Sequence, residues 1–85
     1  MQMNINAGEG AKTILMIPSS SKTNHFRKKI YENWGCKPEN VDVDLIMNGR
    51  ILHDYEPLIR SGCLPTAINE IHIYNIYKNT ISWKQ

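Results

Sequence analysis

Few residues in this chain carry reactive side chains. Its two cysteines, Cys36 and Cys63, stand far apart, and three histidines are scattered along it. A thiolate beside an imidazole is the pairing that makes a nucleophile and its base. Neither cysteine has the setting for that role: Cys36 falls in a loop before Pro38, and Cys63 in an apolar turn. There is no Cys-x-x-Cys spacing, so neither a zinc site nor a redox dithiol is indicated. No glycine-rich phosphate loop, paired-carboxylate motif or metal-ligand spacing accompanies them. The expectation is two buried free thiols in a reducing compartment, with a disulfide as the alternative. No metal, no cofactor and no enzymatic activity are expected. A domain this small also leaves little room for a cleft of about 300 Å³.

Non-covalent recognition remains, and composition narrows its kind. The net charge of +2 on 85 residues is too small to imply nucleic acid or an anionic membrane. Arg27-Lys28-Lys29 reads as a solvated helix face near the negative end of the helix dipole, with Arg27 itself partly buried and its guanidinium bonded to loop carbonyls. No apolar run approaches the roughly 20 residues of a membrane span, and no basic-then-apolar leader opens the chain. A cytoplasmic or nuclear protein, monomeric on its own, is expected.

The elements that would position a recognition surface are legible from periodicity. Phe26, Ile30 and Trp34 recur every fourth residue between Thr23 and Gly35, which places them on one side of a helix about 18 Å long. Thr23 and Arg27 flank this stripe, and Lys28, Lys29, Glu32 and Asn33 fall on the other side. Ser19-Ser20-Ser21 supplies hydroxyls to cap the start; Gly35 suits the left-handed end and Pro38 blocks a restart. One apolar stripe needs one sheet face.

The strands follow. Met1 to Asn6 alternates, Ala7 to Ala11 turns, and Lys12 to Ile17 returns as a hairpin partner. Thr13, Leu15 and Ile17 are assigned inward, which leaves Ile14 and Met16 outward. Val43, Leu45 and Met47 point in, so Asp44 and Ile46 point out. Asn48-Gly49 is a strong hairpin signal and Arg50-Ile51-Leu52 the returning strand. His53 to Asn69 is irregular, with a helical turn from Pro57 to Gly62 anchored by Leu58, Ile59, Cys63 and Leu64. Glu70 to Ile76 is the last clear strand: Ile71 and Ile73 inward, His72, Tyr74 and Ile76 outward. Tyr77 to Gln85, containing Ile81 and Trp83, frays or docks. The fold class is α+β, one mixed sheet packed on one helix.

This order, with these residues, resembles ubiquitin and its relatives, the β-grasp family. The match runs without a gap from Met1-Gln2 to Pro38, with Met3, Ile5, Leu15, Ile17, Phe26 and Ile30 at the family's core positions. It resumes at Leu45 to Leu52 after an insertion near Glu39 to Asp44. It ends at Ile71 to Tyr74 after a second insertion near Leu64 to Asn69. The resemblance implies a ubiquitin-like domain over residues 1–76 with a tail over 77–85. It also implies that the third and last strands are neighbours, which periodicity does not show. Outward Ile46 would then sit beside His72 and Tyr74, with Gly49 and Arg50 at the rim and Ile76 beyond. Ubiquitin-like proteins are generally bound through this surface, by ubiquitin-binding domains or by the subunits of a complex.

The departures matter as much. Conjugated members end in Gly-Gly, and no Gly-Gly occurs here, so covalent tagging is not expected. Arg50 stands where ubiquitin has a chain-forming lysine; Arg27 and Asn33 replace two more, and Lys29 is kept. Asn4 replaces a frequent aromatic of a second binding surface, for which Ile14 and Met16 are a possible substitute. The implied function is a non-conjugated interaction module of the ubiquitin pathway, either free or at the start of a longer chain. The alternative is a structural subunit, elongin B-like or like the ubiquitin-like component of secretion systems, using a strand edge or the tail.

Overall fold

The computed structural model describes residues 1–8, 10, 12–35, 37 and 41–78; the side chains of Val41 and of residues 75–78 are outside that description. The order is β1 (Gln2–Asn6), β2 (Lys12–Met16), α1 (Thr23–Trp34), β3 (Val41–Met47), β4 (Arg50–Ile51) and β5 (Ile68–Lys78). The strands form one mixed sheet in the order β2-β1-β5-β3-β4. β1 and β5 run parallel, and the other pairs are antiparallel. Among the described residues the architecture is α+β, a five-stranded sheet packed on a single helix.

The core lies between the helix and the inner sheet face. Phe26 and Ile30 from α1 meet Met3, Ile5, Val43, Leu45, Ile71 and Ile73, all buried. Trp34, Leu15 and Met1 close the edges of that layer, half-buried against it. Tyr31 is also buried, outside the expected stripe. Its hydroxyl accepts a 3.4 Å hydrogen bond from Arg27 Nη1, one turn earlier, which gives its polar tip a partner.

The serine run does not cap the helix. The N-cap is Lys22, without a side-chain cap bond, and its N–H donates to His25 Nδ1 at 3.4 Å. The first helical N–H groups go instead to the irregular segment: Thr23 to the Glu56 carbonyl at 3.1 Å and Asn24 to the Asp54 carbonyl at 2.7 Å. A tertiary loop thus satisfies donors that local hydroxyls satisfy elsewhere. Ser21 is buried, and its carbonyl accepts from Leu58 N–H at 3.0 Å. At the other end Gly35, with φ 71°, takes the left-handed cap.

The Pro57–Gly62 turn forms as expected, but only some of its apolar residues anchor it. Leu58 and Cys63 are buried, whereas Ile59 and Leu64 face solvent. Asn69 replaces them as the organiser. It is buried, and it ties the following loop by donating to the carbonyls of Leu64 (3.0 Å) and Gln2 (3.1 Å) and accepting from Leu64 N–H (2.8 Å).

Candidate functional site

The outer face of the sheet, away from α1, is built from strands read by alternation. β3 and β5 are neighbours, with Ile46 opposite His72 and Asp44 opposite Tyr74. Three residues expected to share a surface therefore stand together: Ile46, His72 and Tyr74. Ile46 is half-buried, and Tyr74 is 54% exposed. The rings of His72 and Tyr74 stack, with centroids 6.2 Å apart and planes inclined by 23°.

The β3–β4 hairpin adds a residue that the sequence reading left unused. Asn48 (φ 53°) and Gly49 (φ 78°) are both left-handed, as a two-residue hairpin turn requires. That turn pairs Met47 with Arg50 and Ile46 with Ile51. Ile51 is 53% exposed on the outer face beside Ile46. Arg50 is exposed at the edge strand but shares Met47's side of the pleat, so Ile51 continues the outer face there. Counting outward from Asn48-Gly49 would have found Ile51.

Ile76 is different. The β3–β5 register shifts between Asp42 and Asp44, so that Tyr77 stands opposite Asp42. The expectation for Ile76 rests on an alternation that this bulge interrupts, and its side chain lies outside the described residues. β5 itself runs further than Glu70 to Ile76, from Ile68 to Lys78. Cys36, Pro38 and residues 79–85, with Ile81 and Trp83, also lie outside the described residues.

The patch has defined borders. Towards β1 it meets a polar ladder, in which Asn6 Nδ2 donates to Glu70 Oε1 at 3.0 Å and Asn4 Nδ2 to Glu70 Oε2 at 3.2 Å. Gln2 Nε2 donates to Asn4 Oδ1 at 3.0 Å. Beside Tyr74 a shallow hollow of about 220 Å³ is lined by Asn6, Gly8, Gly10, Lys12, His72 and Ile73 as well. An apolar group seated there would touch both stacked rings. Mixed apolar and aromatic groups inside a polar rim suit docking of another protein.

Arg27 holds the frame from below. Its Nη1 donates to the Val43 carbonyl at 2.6 Å and its Nε to Asp54 Oδ1 at 3.0 Å. Burial works to lower its pKa, but the Tyr31 hydroxyl and the Asp54 carboxylate outweigh that and raise it, so the guanidinium stays charged. β3 and the loop that feeds the helix start are thereby joined.

The thiols assemble no site among the described residues. Cys63 is buried with its Sγ 3.5 Å from Met47 Sδ, and burial pushes its thiol pKa up. The expected lack of room for a cleft is not met: an open groove of about 340 Å³ lies between Ile17, Pro18 and α1, lined by Ser21, His25, Lys28, Lys29 and Glu32. It contains no cysteine and no paired carboxylates. No group of three or more His, Cys, Asp or Glu side chains is placed to hold a metal among the described residues. No described helix is long and apolar enough to cross a membrane.

No protein-family model matches the chain, and no curated protein matches it.

Proposed function

We propose that this chain is a ubiquitin-like β-grasp domain, not covalently conjugated, that docks partner proteins on the outer face of its sheet. The contact group is Ile46, Ile51, His72 and Tyr74, with Gly49 at the rim; Arg50, paired with Met47 on the other side of the pleat, is not part of it. One observation carries the reading: the antiparallel pairing that sets Ile46 beside His72 and Asp44 beside Tyr74 on an open face. An apolar surface of this kind gains about 25 cal/mol for each Å² that a partner covers. The stacked imidazole and phenol add rigid, amphipathic area of the sort that dominates binding at protein interfaces. Partners of the ubiquitin-binding class suit it, in the cytoplasm or nucleus. No Gly-Gly occurs in these 85 residues, and that supports recognition over tagging.

The test is affinity capture from native lysate, quantified against Ile46→Ala and Tyr74→Ala. Each substitution trims a side chain at the surface and leaves the core untouched. Each is expected to weaken capture of the same set of proteins by about tenfold, at an unchanged melting temperature. Equal capture by both variants would exclude this face.

A second reading has its own observation. β5 continues to Lys78, paired with Val41, beyond the point where β1 stops at Asn6 opposite His72. A strand edge there suits a fixed subunit of a larger assembly. Truncation after Tyr74 separates the two: loss of the captured set with the face intact favours the subunit.

A further inference from the structure

The outer face carries a second apolar group that the docking reading does not use. Ile14 and Met16 stand outward on β2, 62% and 66% exposed. The Gln2–Asn4–Asn6–Glu70 ladder separates them from Ile46, His72 and Tyr74. β2 is also an end strand, paired with β1 on one side and with no described strand on the other.

The pairing with β1 decides which backbone groups are left over. Ile17 N–H donates to the Met1 carbonyl at 3.0 Å, and the Met1 ammonium donates to the Ile17 carbonyl at 2.8 Å. Hydrogen-bonded and non-bonded pairs alternate along an antiparallel ladder. In the observed register Met3 faces Leu15 and Ile5 faces Thr13, so Leu15 and Thr13 turn their backbone groups to β1. Those of Lys12, Ile14 and Met16 point off the sheet. Native edges are usually blunted by lysine, proline or a bulge. β2 reads Lys-Thr-Ile-Leu-Met, and only Lys12 at its start is such a device.

We propose that this edge pairs with the same edge of a second copy of the chain, antiparallel about a two-fold axis through Ile14. The register follows from the groups available. Bonds must join Lys12, Ile14 and Met16, and the pairing that uses all of them sets Ile14 opposite Ile14 and Lys12 opposite Met16. Ile14 then packs on the second copy's Ile14, and Met16 on the methylene stem of the opposing lysine. The two Lys12 residues end about 13 Å apart along the strands, beyond the roughly 8 Å over which physiological salt screens charge. Like charges are therefore not opposed. Five residues a side fall well short of the roughly 20–30 of a standard interface, so the pairing is weak and transient. A pairing of this strength leaves the chain monomeric when dilute and pairs it when locally concentrated. A two-fold perpendicular to the sheet leaves both outer faces on the same side. A consequence that rests on the docking reading is bivalent presentation to a partner with repeated binding modules.

The experiment is sedimentation equilibrium of the whole chain from about 10 µM to about 1 mM, with amide hydrogen exchange at both ends of that range. Mass is expected to rise from 9.8 kDa towards twice that value. The Ile14 and Met16 amides are expected to slow with concentration, while amides of β4 do not. Ile14→Lys sets two ammonium groups face to face and is expected to weaken pairing by at least about tenfold. Ile46→Ala is expected to leave it unchanged, so loss of docking and loss of pairing are read separately. Should Ile14→Lys not fold, Met16→Lys, placed opposite Lys12, serves the same purpose. A constant monomer mass at 1 mM would overturn the proposal and leave the edge to an extended peptide of another protein. So would association that the lysine variants do not weaken, or slowed exchange confined to other strands.

Discussion

At Arg27 a single side chain links three parts of the molecule: the Val43 carbonyl in β3, Asp54 in the irregular segment and the Tyr31 hydroxyl on its own helix. Charge-assisted bonds of this kind contribute about 1.5–3 kcal/mol each, and losing the donor strands a carbonyl and a carboxylate. Arg27→Ala is expected to lower stability by about 2–3 kcal/mol in urea denaturation, and Arg27→Lys by less, because it keeps one charged donor, but not by nothing, because an ammonium cannot serve the separate directions of a guanidinium fork. Cys63 is the opposite case, a reactive type made inert. Its raised pKa leaves less thiolate at neutral pH than an ordinary cysteine has. Site-resolved alkylation is expected to be slow at Cys63 in the native chain and fast in denaturant; rapid native labelling would mark a reactive thiol. The burial of Cys63 was legible from its apolar neighbours. The burial of Tyr31 was not, because it falls outside the every-fourth-residue spacing of Phe26, Ile30 and Trp34.

Among the elements, the β3–β4 hairpin sets the width of the outer face by placing Ile51 beside Ile46. Its turn was readable in full from Asn48-Gly49, since few residue pairs accept two positive φ values. Gly49→Ala meets no neighbouring atom within 4 Å, so its cost is conformational alone, about 1–2 kcal/mol. The melting temperature is expected to fall accordingly, and with it the register that holds Ile51 beside Ile46. The helix was legible from its apolar spacing and its terminal glycine. Its start was not, because the donors of Thr23 and Asn24 are satisfied by carbonyls roughly thirty positions later in the chain, at Glu56 and Asp54. The bulge in the β3–β5 register was likewise invisible. Alternation within β5 says nothing about where its partner loses a residue, and so the assignment of Ile76 rested on a period that the pairing breaks.

For the molecule as a whole, periodicity yields the layers but not the strand order. Val43, Leu45, Met47, Ile71 and Ile73 identify themselves as inward, yet nothing in that pattern says that β5 lies between β1 and β3. The resemblance implied that β3 and β5 are neighbours, and the sheet has that pairing; the parallel pairing of β1 with β5 was not foreseen. Everything packs on Phe26, which is fully buried at the centre of the core. Phe26→Ala is expected to cost about 3–5 kcal/mol, a large part of the 5–15 kcal/mol that holds a typical domain together, and to leave the chain partly unfolded at 37 °C by circular dichroism. The most direct measurement is an amide-resolved NMR titration of the isotopically labelled chain with a purified panel of ubiquitin-binding domains. Perturbations are expected to cluster at Ile46, Ile51, His72 and Tyr74 and to disappear in Ile46→Ala. Perturbations confined to α1 or β2, or none with any member of the panel, would contradict a docking face on β3 and β5.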